Sequence, residues 1–498
     1  MADIGVSPSQ LEVLVPGLQY GLQNMSSMIT SRREVVTHGQ PGVYDPTTSR
    51  LVRIHVADGA SWWQMATTKL VFEIVNDSGD PLELIVPPLG LFEQFRLLSQ
   101  GTVLELIESY SRTVTTYNSL LPLEARVTNS LEQVPLKDPH GKKAQNADGR
   151  AGLPDDRGTA FAGADAAVPV KTAFETERYL TIPGNSRRTV SCSILSGILN
   201  SQFMWPLMHC SMTLEFQLVS DPSSVVASKI DQIDGGMAAM PRSQKWHIEL
   251  PRCEMSFNGL SSHAQAEFDS LISGEGLVLP CTMHTTMQQS IFNKDSRVQF
   301  FRSLANIKDI ICTLYRPYAN SSATTDAGNE ALTTLGQALL KECNYLWGGT
   351  SQLMADTVVA KRGAPAASGV PADANVPDAD LRETSFQIQI GAKQIPETPL
   401  KGGNIVSHCK MSLGIESLRE GWGNLHSYDI SKKVFAVNLE KFTGVQLDGS
   451  GDTTRAGESI MAIFGDAGST NIYPEKIYMH LRSSAKVEIR TGSVRKLD

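Results

Sequence analysis

The sequence predicts a mainly β chain built from two β-sandwich units in tandem. Apolar and polar residues alternate along many short segments, which is the pattern of strands with one buried face. Helical patterns are few. The 498 residues also exceed the length of about 250–300 residues at which a single hydrophobic core stops growing, so two units are expected.

The strand pattern runs through both halves of the chain. It is clearest in Met212–Leu218, Trp246–Leu250, Cys253–Phe257 and Lys486–Arg490. Further strand-like runs are Leu51–Val56, Leu70–Val75, Phe92–Ser99, Val103–Ile107, Arg188–Ile194, Leu277–Met283, Ile307–Tyr315, Phe386–Ile390, Val434–Leu439 and Ser459–Phe464.

Three segments have helical spacing of apolar residues. One covers Ala264–Ile272, with Ser261 or Ser262 as its cap and Gly274 as its stop. The other two are Leu332–Leu346 and Tyr110–Leu121. We expect these short helices to close or connect the sandwiches.

Composition suggests a division of the chain. Lys137–Thr172 and Asp356–Arg382 are rich in Ala, Gly, Pro and Asp and lack periodicity, so we expect exposed insertions there. Ser220–Gln244 is polar and lies between strong strands. The predicted division is an N-terminal segment at 1–48, a first sandwich at 49–220, a linker at 221–244 and a second sandwich at 245–498.

Charge and targeting signals limit the partners and the compartment. The formal net charge is −8 and the first basic residue is Arg32, so the chain has no basic N-terminal arm to neutralise nucleic acid. We expect no sequence-specific nucleic-acid binding, and any genome contact to be indirect. Met1–Gly21 lacks the features of a secretory signal, and no apolar run is long enough to span a bilayer. Synthesis in the cytosol or nucleus is expected.

The seven cysteines are expected to be buried, reduced thiols. Their number is odd, they form no Cys-x-x-Cys motif, and most lie in apolar runs. They are Cys192, Cys210, Cys253, Cys281, Cys312, Cys343 and Cys409.

No segment carries a recognisable catalytic, cofactor or metal motif. The adjacent pairs His209–Cys210 and His408–Cys409 are expected to point apart on strands. Asp448–Asp452 lacks the ligands of a calcium loop and is expected to be a polar turn. We therefore predict no catalytic residues, no cofactor and no metal, and a chain that is not an enzyme. A site assembled from distant residues stays open as the alternative.

Several segments, in order, resemble the double jelly-roll major capsid proteins of polinton-like viruses, adintoviruses and related small double-stranded DNA viruses. In the first half the resemblance is carried by Leu91–Gly101, Val103–Ile107, Tyr110–Arg112, Ser191–Gly197, Trp205–Leu207 and Met212–Leu218. In the second half it is carried by Phe300–Leu304, Ile307–Tyr315, Ile388–Gly391, Ile395–Pro399, Leu439–Gly444 and Gly449–Gly457.

The resemblance implies two eight-stranded antiparallel jelly rolls side by side. It also implies a homotrimer of pseudo-hexagonal outline that tiles the facets of an icosahedral virion, with penton and minor capsid or cement proteins as further partners and with an internal membrane as an open possibility. The alternative is a β-sandwich binding protein, such as a carbohydrate-binding or receptor-binding viral spike. A spike usually has repeats or a fibrous shaft, and a secreted lectin has a signal peptide; neither is seen.

We further expect trimer contacts to cover sheet edges and the apolar side chains near Trp62–Trp63. The terminal segments Ala2–Met28 and Arg490–Asp498 are expected to mediate contacts, because both are too short to form domains.

Overall fold

The computed structural model describes residues 28–79, 82–84, 86–120, 180–201, 203–228, 245–292, 295–315, 385–401, 403–413, 434–440, 452–454, 458–465 and 474–497. Both predicted insertions, the predicted helix Leu332–Leu346 and nearly all of the predicted turn Asp448–Asp452 lie outside these residues.

The first unit contains twelve strands and one α-helix among the described residues. Its eight principal strands are β1 (Ile29–His38), β2 (Leu51–Val56), β3 (Trp62–Asn76), β5 (Phe92–Ser99), β6 (Thr102–Ile107), β8 (Arg187–Ser193), β10 (Met212–Leu218) and β12 (Trp246–Leu260). Short strands are β4 (Leu82–Leu84), β7 (Leu180–Ile182), β9 (Met204–Pro206) and β11 (Val226–Ser228), and helix α1 is Tyr110–Leu120.

The second unit follows helix α2 (Ser262–Ser273). Its eight principal strands are β13 (Leu277–Ser290), β14 (Ser296–Phe301), β15 (Leu304–Tyr315), β16 (Ser385–Ile390), β17 (Lys393–Leu400), β18 (Phe435–Asn438), β20 (Ser459–Gly465) and β21 (Lys476–Arg490). Short strands β19 (Asp452–Thr454) and β22 (Ser493–Leu497) and helix α3 (Gly403–Leu413) complete it.

The two units have the same strand order. In the first, one sheet runs β1-β12-β3-β8 and the other runs β2-β10-β5-β6. In the second, the corresponding sheets run β13-β21-β15-β18 and β14-β20-β16-β17. Counting the principal strands of each unit from one to eight, both units pair them as 1-8-3-6 and 2-7-4-5. Two four-stranded antiparallel sheets joined in this way form a jelly roll, so the predicted fold class is confirmed.

Strand β12 belongs to the first jelly roll by its pairing. The sequence placed the start of the second sandwich at residue 245, ahead of this strand. Instead, β12 pairs with β3 from Trp246↔Asn76 onward, and β1 adds to its other edge. Its side chains Ile248 and Phe257 join the first hydrophobic core. By strand pairing, the first jelly roll therefore extends to Leu260 and the second begins at Leu277.

Each jelly roll encloses a core of aromatic and branched side chains. In the first, the ring of Phe216 lies 5.1 Å from that of Phe92 and 5.0 Å from that of Phe95. In the second, Phe386 lies 5.2 Å from Phe435 and 5.1 Å from Phe464. Rings at this spacing attract one another beyond the free energy of burying their apolar area. Phe386 and Phe435 belong to opposite sheets of the second sandwich, and Phe72 and Phe92, 5.6 Å apart, belong to opposite sheets of the first, so these two pairs join the sheets of each sandwich.

Helix α2 packs on the outer face of the first jelly roll at Trp62. Neighbouring residues on a strand point to opposite faces, and here both faces are covered. Trp63 is fully buried, while Trp62 lies 5.0 Å from the ring of Phe268 and donates a hydrogen bond to Gln265 of α2. The expectation that a neighbouring chain covers this pair is therefore wrong.

Candidate assembly surfaces

The His, Cys, Asp and Glu side chains of the described residues form no metal-binding group, since no group of three could hold a metal ion. The six described cysteines are buried and free, which confirms the predicted burial. Burial raises the pKa of Cys281 to about 12, so its reactive thiolate is suppressed. Among the described residues, no helix is long and apolar enough to cross a membrane.

A buried carboxylate joins the two jelly rolls. Glu105 lies in β6 of the first, and its Oε1 accepts hydrogen bonds from the backbone N of Gly197 at 3.0 Å and from that of His284, in the second, at 2.9 Å. Its Oε2 accepts from the Ser196 hydroxyl. Burial raises the pKa of the Glu105 carboxyl, while these hydrogen bonds favour its charged form. Both jelly rolls thus share one acceptor group.

The loop that carries Gly197, a hydrogen-bond partner of Glu105, lies so close to the second jelly roll that no side chain fits between them. A Cβ atom at Gly197 would lie 2.0 Å from the carbonyl oxygen of Thr282, in β13. Such a distance is far inside van der Waals contact, so only glycine allows the two backbones to approach this closely.

Helix α1 of the first jelly roll inserts a buried arginine into the second. Arg112 is 2% exposed, and it donates from Nε to the Thr313 hydroxyl at 3.2 Å and from Nη2 to the Leu314 carbonyl at 3.1 Å. Its guanidinium carbon lies 5.3 Å from the centre of the Tyr478 ring, a cation–π distance. We call the contact formed by Glu105, Arg112 and their partners the seam.

The seam continues one residue further along α1. The Thr113 hydroxyl lies 2.9 Å from that of Thr286 and 3.2 Å from Nδ1 of His480. Tyr117, one turn on, places its ring 5.3 Å from that of His284. The sequence did not single out these seam residues, because strand and helix patterns show which side chains are apolar but not which polar ones are buried between units.

The outward surfaces of the second jelly roll expose apolar side chains. Strand β14 is an edge strand of its sheet among the described residues. Its residues alternate, with Val298 inside and Phe301 outside at 72% exposure. Phe292, just before β14, is 84% exposed. Phe292 and Phe301 are the two most exposed large apolar side chains among the described residues.

Strand β1 is one of the edge strands of the first jelly roll. Along its ten residues nearly every side chain is exposed, and among the described residues β1 pairs with β12 alone. At the other end of the chain, β22 pairs with β21 from Ser493↔Arg490. The C-terminal segment is therefore part of a sheet, while its role in contacts between chains stays a prediction, as does that of Ala2–Met28.

No family model matches the sequence, and no curated protein matches it. Solved structures do match. VP54 of the virus PBCV-1 is 9% identical, aligns with a TM-score of 0.52, and the match covers 94% of this chain and 97% of that one. The Faustovirus major capsid protein is 9% identical, with a TM-score of 0.53 and coverage of 92% and 91%. A PBCV-1 virus capsid structure is 10% identical, with a TM-score of 0.52 and coverage of 94% and 96%.

These structures are double jelly-roll major capsid proteins. The match extends over both jelly rolls, as the repeated strand order requires. Resemblance to polinton-like viruses or adintoviruses in particular stays a prediction. The chain has the double jelly-roll fold of these viral major capsid proteins.

Proposed function

We propose that the chain is the major capsid protein of an icosahedral double-stranded DNA virus and that it assembles as a homotrimer. The observation that carries the proposal is the tandem pair of jelly rolls with one strand order, 1-8-3-6 and 2-7-4-5. Three copies around one axis would present six similar sandwiches. A unit of that outline can tile a flat facet although its true symmetry is three-fold.

The seam supports this role. A building block with a pseudo-hexagonal outline needs its two jelly rolls at a fixed angle, since each occupies one corner. The shared Glu105 carboxylate and the buried Arg112 guanidinium restrict that angle. Polar groups buried between units are costly unless they are satisfied, and so they select one arrangement over its neighbours.

The surfaces proposed for contact between copies are the exposed edges β1 and β14 and the aromatic side chains Phe292 and Phe301. An obligate interface of this kind typically buries upward of about 2,000 Å² and is more apolar than a transient one. Contacts between trimers are then smaller and more polar. Penton and minor capsid proteins would fill the vertices and gaps, and the virion is the proposed location.

The proposed role is structural and not enzymatic. It is supported by the structural neighbours, which are capsid proteins. The net charge of −8 supports indirect contact with a genome, because the chain does not supply the excess of cations that phosphates require.

Light scattering coupled to size exclusion tests the homotrimer. We expect the purified chain to show three times its mass of 54.1 kDa. The double variant Phe292→Ser with Phe301→Ser should shift the population toward the monomer, while Val103→Ser, which replaces an exposed apolar residue on another strand, should not.

A monomer at micromolar concentration that is insensitive to salt would contradict the homotrimer. Such a monomer, if it also bound glycans on an array, would favour the β-sandwich binding protein.

A further inference from the structure

Two histidines of the second jelly roll are buried at the seam. His284 lies in β13 and His480 in the neighbouring strand β21. Their exposed fractions are 9% and 1%. Helix α1 of the first jelly roll covers both, through Tyr117 on His284 and Thr113 on His480. The seam therefore contains two ionisable rings that no solvent reaches freely.

The hydrogen bonds of His480 suit a neutral ring. Its Nδ1 lies 3.2 Å from the hydroxyls of both Thr113 and Thr286, and hydroxyl groups can donate to it. Its Nε2 is buried and has no hydrogen-bond partner among the described residues. A proton added to the ring would thus place a charge where only hydroxyl groups are within hydrogen-bond distance.

The charged groups around the two rings come from four elements. From α1 comes Arg112, and from β21 comes Arg482. The acids are Asp309 of β15, which is bound to Arg482, and Glu105 of β6, which accepts from the His284 backbone. Lys308 of β15 lies 3.7 Å from Glu440. Among the described residues, no carboxylate forms an ion pair with either imidazole, and the charged side chains that lower the pKa values of the two rings are Arg482 for His284 and Arg112 for His480.

We propose that the seam is an acid-sensitive latch, in which protonation of His284 and His480 releases helix α1 from the second jelly roll. Each imidazolium would repel the neighbouring guanidinium and would require water, which enters only when α1 moves away. Helix α1 then separates from β13 and β21, while both cores stay folded and the apolar contacts of β13, β21 and β22 with the first core remain. The latch is a property of the single chain and does not depend on the capsid role.

The direction of the pH effect follows from the pKa shifts. Burial, and then the charge of Arg482, lowers the pKa of His284 from 6.5 to about 3. Burial, Arg112 and His284 lower the pKa of His480 to about 3. Because the released rings bind protons at the higher pKa, the latch is stable above pH 6.5 and weakens as the pH falls from 6.5 toward 3.

The size of the effect is large at mildly acidic pH. Each depressed histidine changes the opening equilibrium about tenfold per pH unit inside this window. Between pH 6.5 and pH 5, one histidine contributes roughly 15-fold and both together roughly 250-fold, because the released rings are already half protonated at pH 6.5. Exposed carboxylates titrate lower, near pH 4, and contribute little between these two values. The raised pKa values of the Glu105 and Asp309 carboxyls oppose opening, because the closed latch holds those protons more tightly.

Hydrogen exchange measured by mass spectrometry tests the latch in the full chain. At pH 7 and pH 5, with intrinsic exchange rates corrected, we expect peptides covering α1 to lose at least about tenfold in protection. Peptides covering β16 and β20, inside the second core, should retain theirs.

The double variant His284→Phe with His480→Asn should hold its α1 protection at pH 5. Phenylalanine keeps a ring against Tyr117, and asparagine keeps a hydrogen-bonding atom near the position of Nδ1. The matched control is His263→Asn, at an exposed histidine of α2, which should respond to acid as the original chain does.

Unchanged α1 protection at pH 5 in the original chain would overturn the latch, and this outcome does not require the variants to fold. Equal loss of protection in the original chain and the double variant would overturn it as well.

Discussion

Glu105 lies in the first jelly roll and accepts hydrogen bonds from both jelly rolls. The alternating sequence pattern does not reveal this role. Leu104 of β6 has no pairing partner in β5. Leu97 of β5 pairs with Glu105, and the next residue, Leu98, already pairs with Val103. A β-bulge of this kind interrupts the alternation of faces. Glu105 is therefore buried although the pattern of the segment marks a glutamate as solvent-facing.

Replacing Glu105 with alanine should destabilise the chain strongly. The change would leave two backbone N–H groups and one hydroxyl buried without an acceptor, at about 1–3 kcal/mol each. We expect a loss of at least about 3 kcal/mol in the free energy of unfolding, measured by urea denaturation. Glu105→Gln keeps an acceptor oxygen and should lose about 1 kcal/mol or less.

Glu108→Ala is the matched control for this prediction. Glu108 lies just after β6 and is exposed, so its removal should change stability by no more than about 0.5 kcal/mol. Equal losses for Glu105→Ala and Glu108→Ala would show that the shared acceptor contributes nothing.

At the scale of elements, the alternating pattern predicts most strands that have a buried face and misses strands whose side chains are mostly exposed. Met212–Leu218 is predicted with its observed bounds, because β10 has neighbours on both sides and one buried face. Strand β1 is missed, since its sequence is polar and its side chains are exposed. It forms because it pairs with the edge of β12, and the local sequence pattern does not show such a long-range contact.

The helices also divide into predicted and missed ones. The caps of α2 are as predicted, with the Ser261 hydroxyl accepting from the N of Ala264 and Gly274 at the C-cap. Helix α1 also agrees with its prediction to within one residue. Helix α3 is missed, because Gly403–Leu413 contains Gly, Asn, Val and Ser, which have low helix propensity. Its buried side chains Ile405 and Cys409 join the second core and stabilise it instead.

The loop that carries Gly197 gives a prediction at this scale. Gly197→Ala would force the loop away from β13, since the new Cβ would overlap the Thr282 carbonyl. We expect a loss of about 1–3 kcal/mol, as for other overpacked sites. The measurement is the midpoint of urea unfolding.

Gly42→Ala serves as the comparison, because nothing lies within 4 Å of its Cβ position. It should leave the midpoint nearly unchanged. If Gly197→Ala were equally neutral, the two jelly rolls could not be in the close contact described.

At the scale of the whole molecule, the tandem plan was readable from the sequence but its boundary was not. Ser220–Gln244 looks like a linker because it is polar and lacks alternation. It instead precedes the eighth strand of the first jelly roll, since β12 completes the sheet between β1 and β3. The last strand of a jelly roll pairs with its first strand, although the two are far apart in the sequence. The apparent linker precedes this last strand, so a boundary placed at the linker lies too early in the chain.

Cryo-electron microscopy of the purified chain tests the central claim most directly. We expect particles in which three chains surround one axis and six jelly rolls form a hexagonal outline, with adjacent corners joined through Glu105 and Arg112 of a single chain. Single chains or elongated rods, with the two jelly rolls at variable angles, would contradict both the capsid role and the rigid seam.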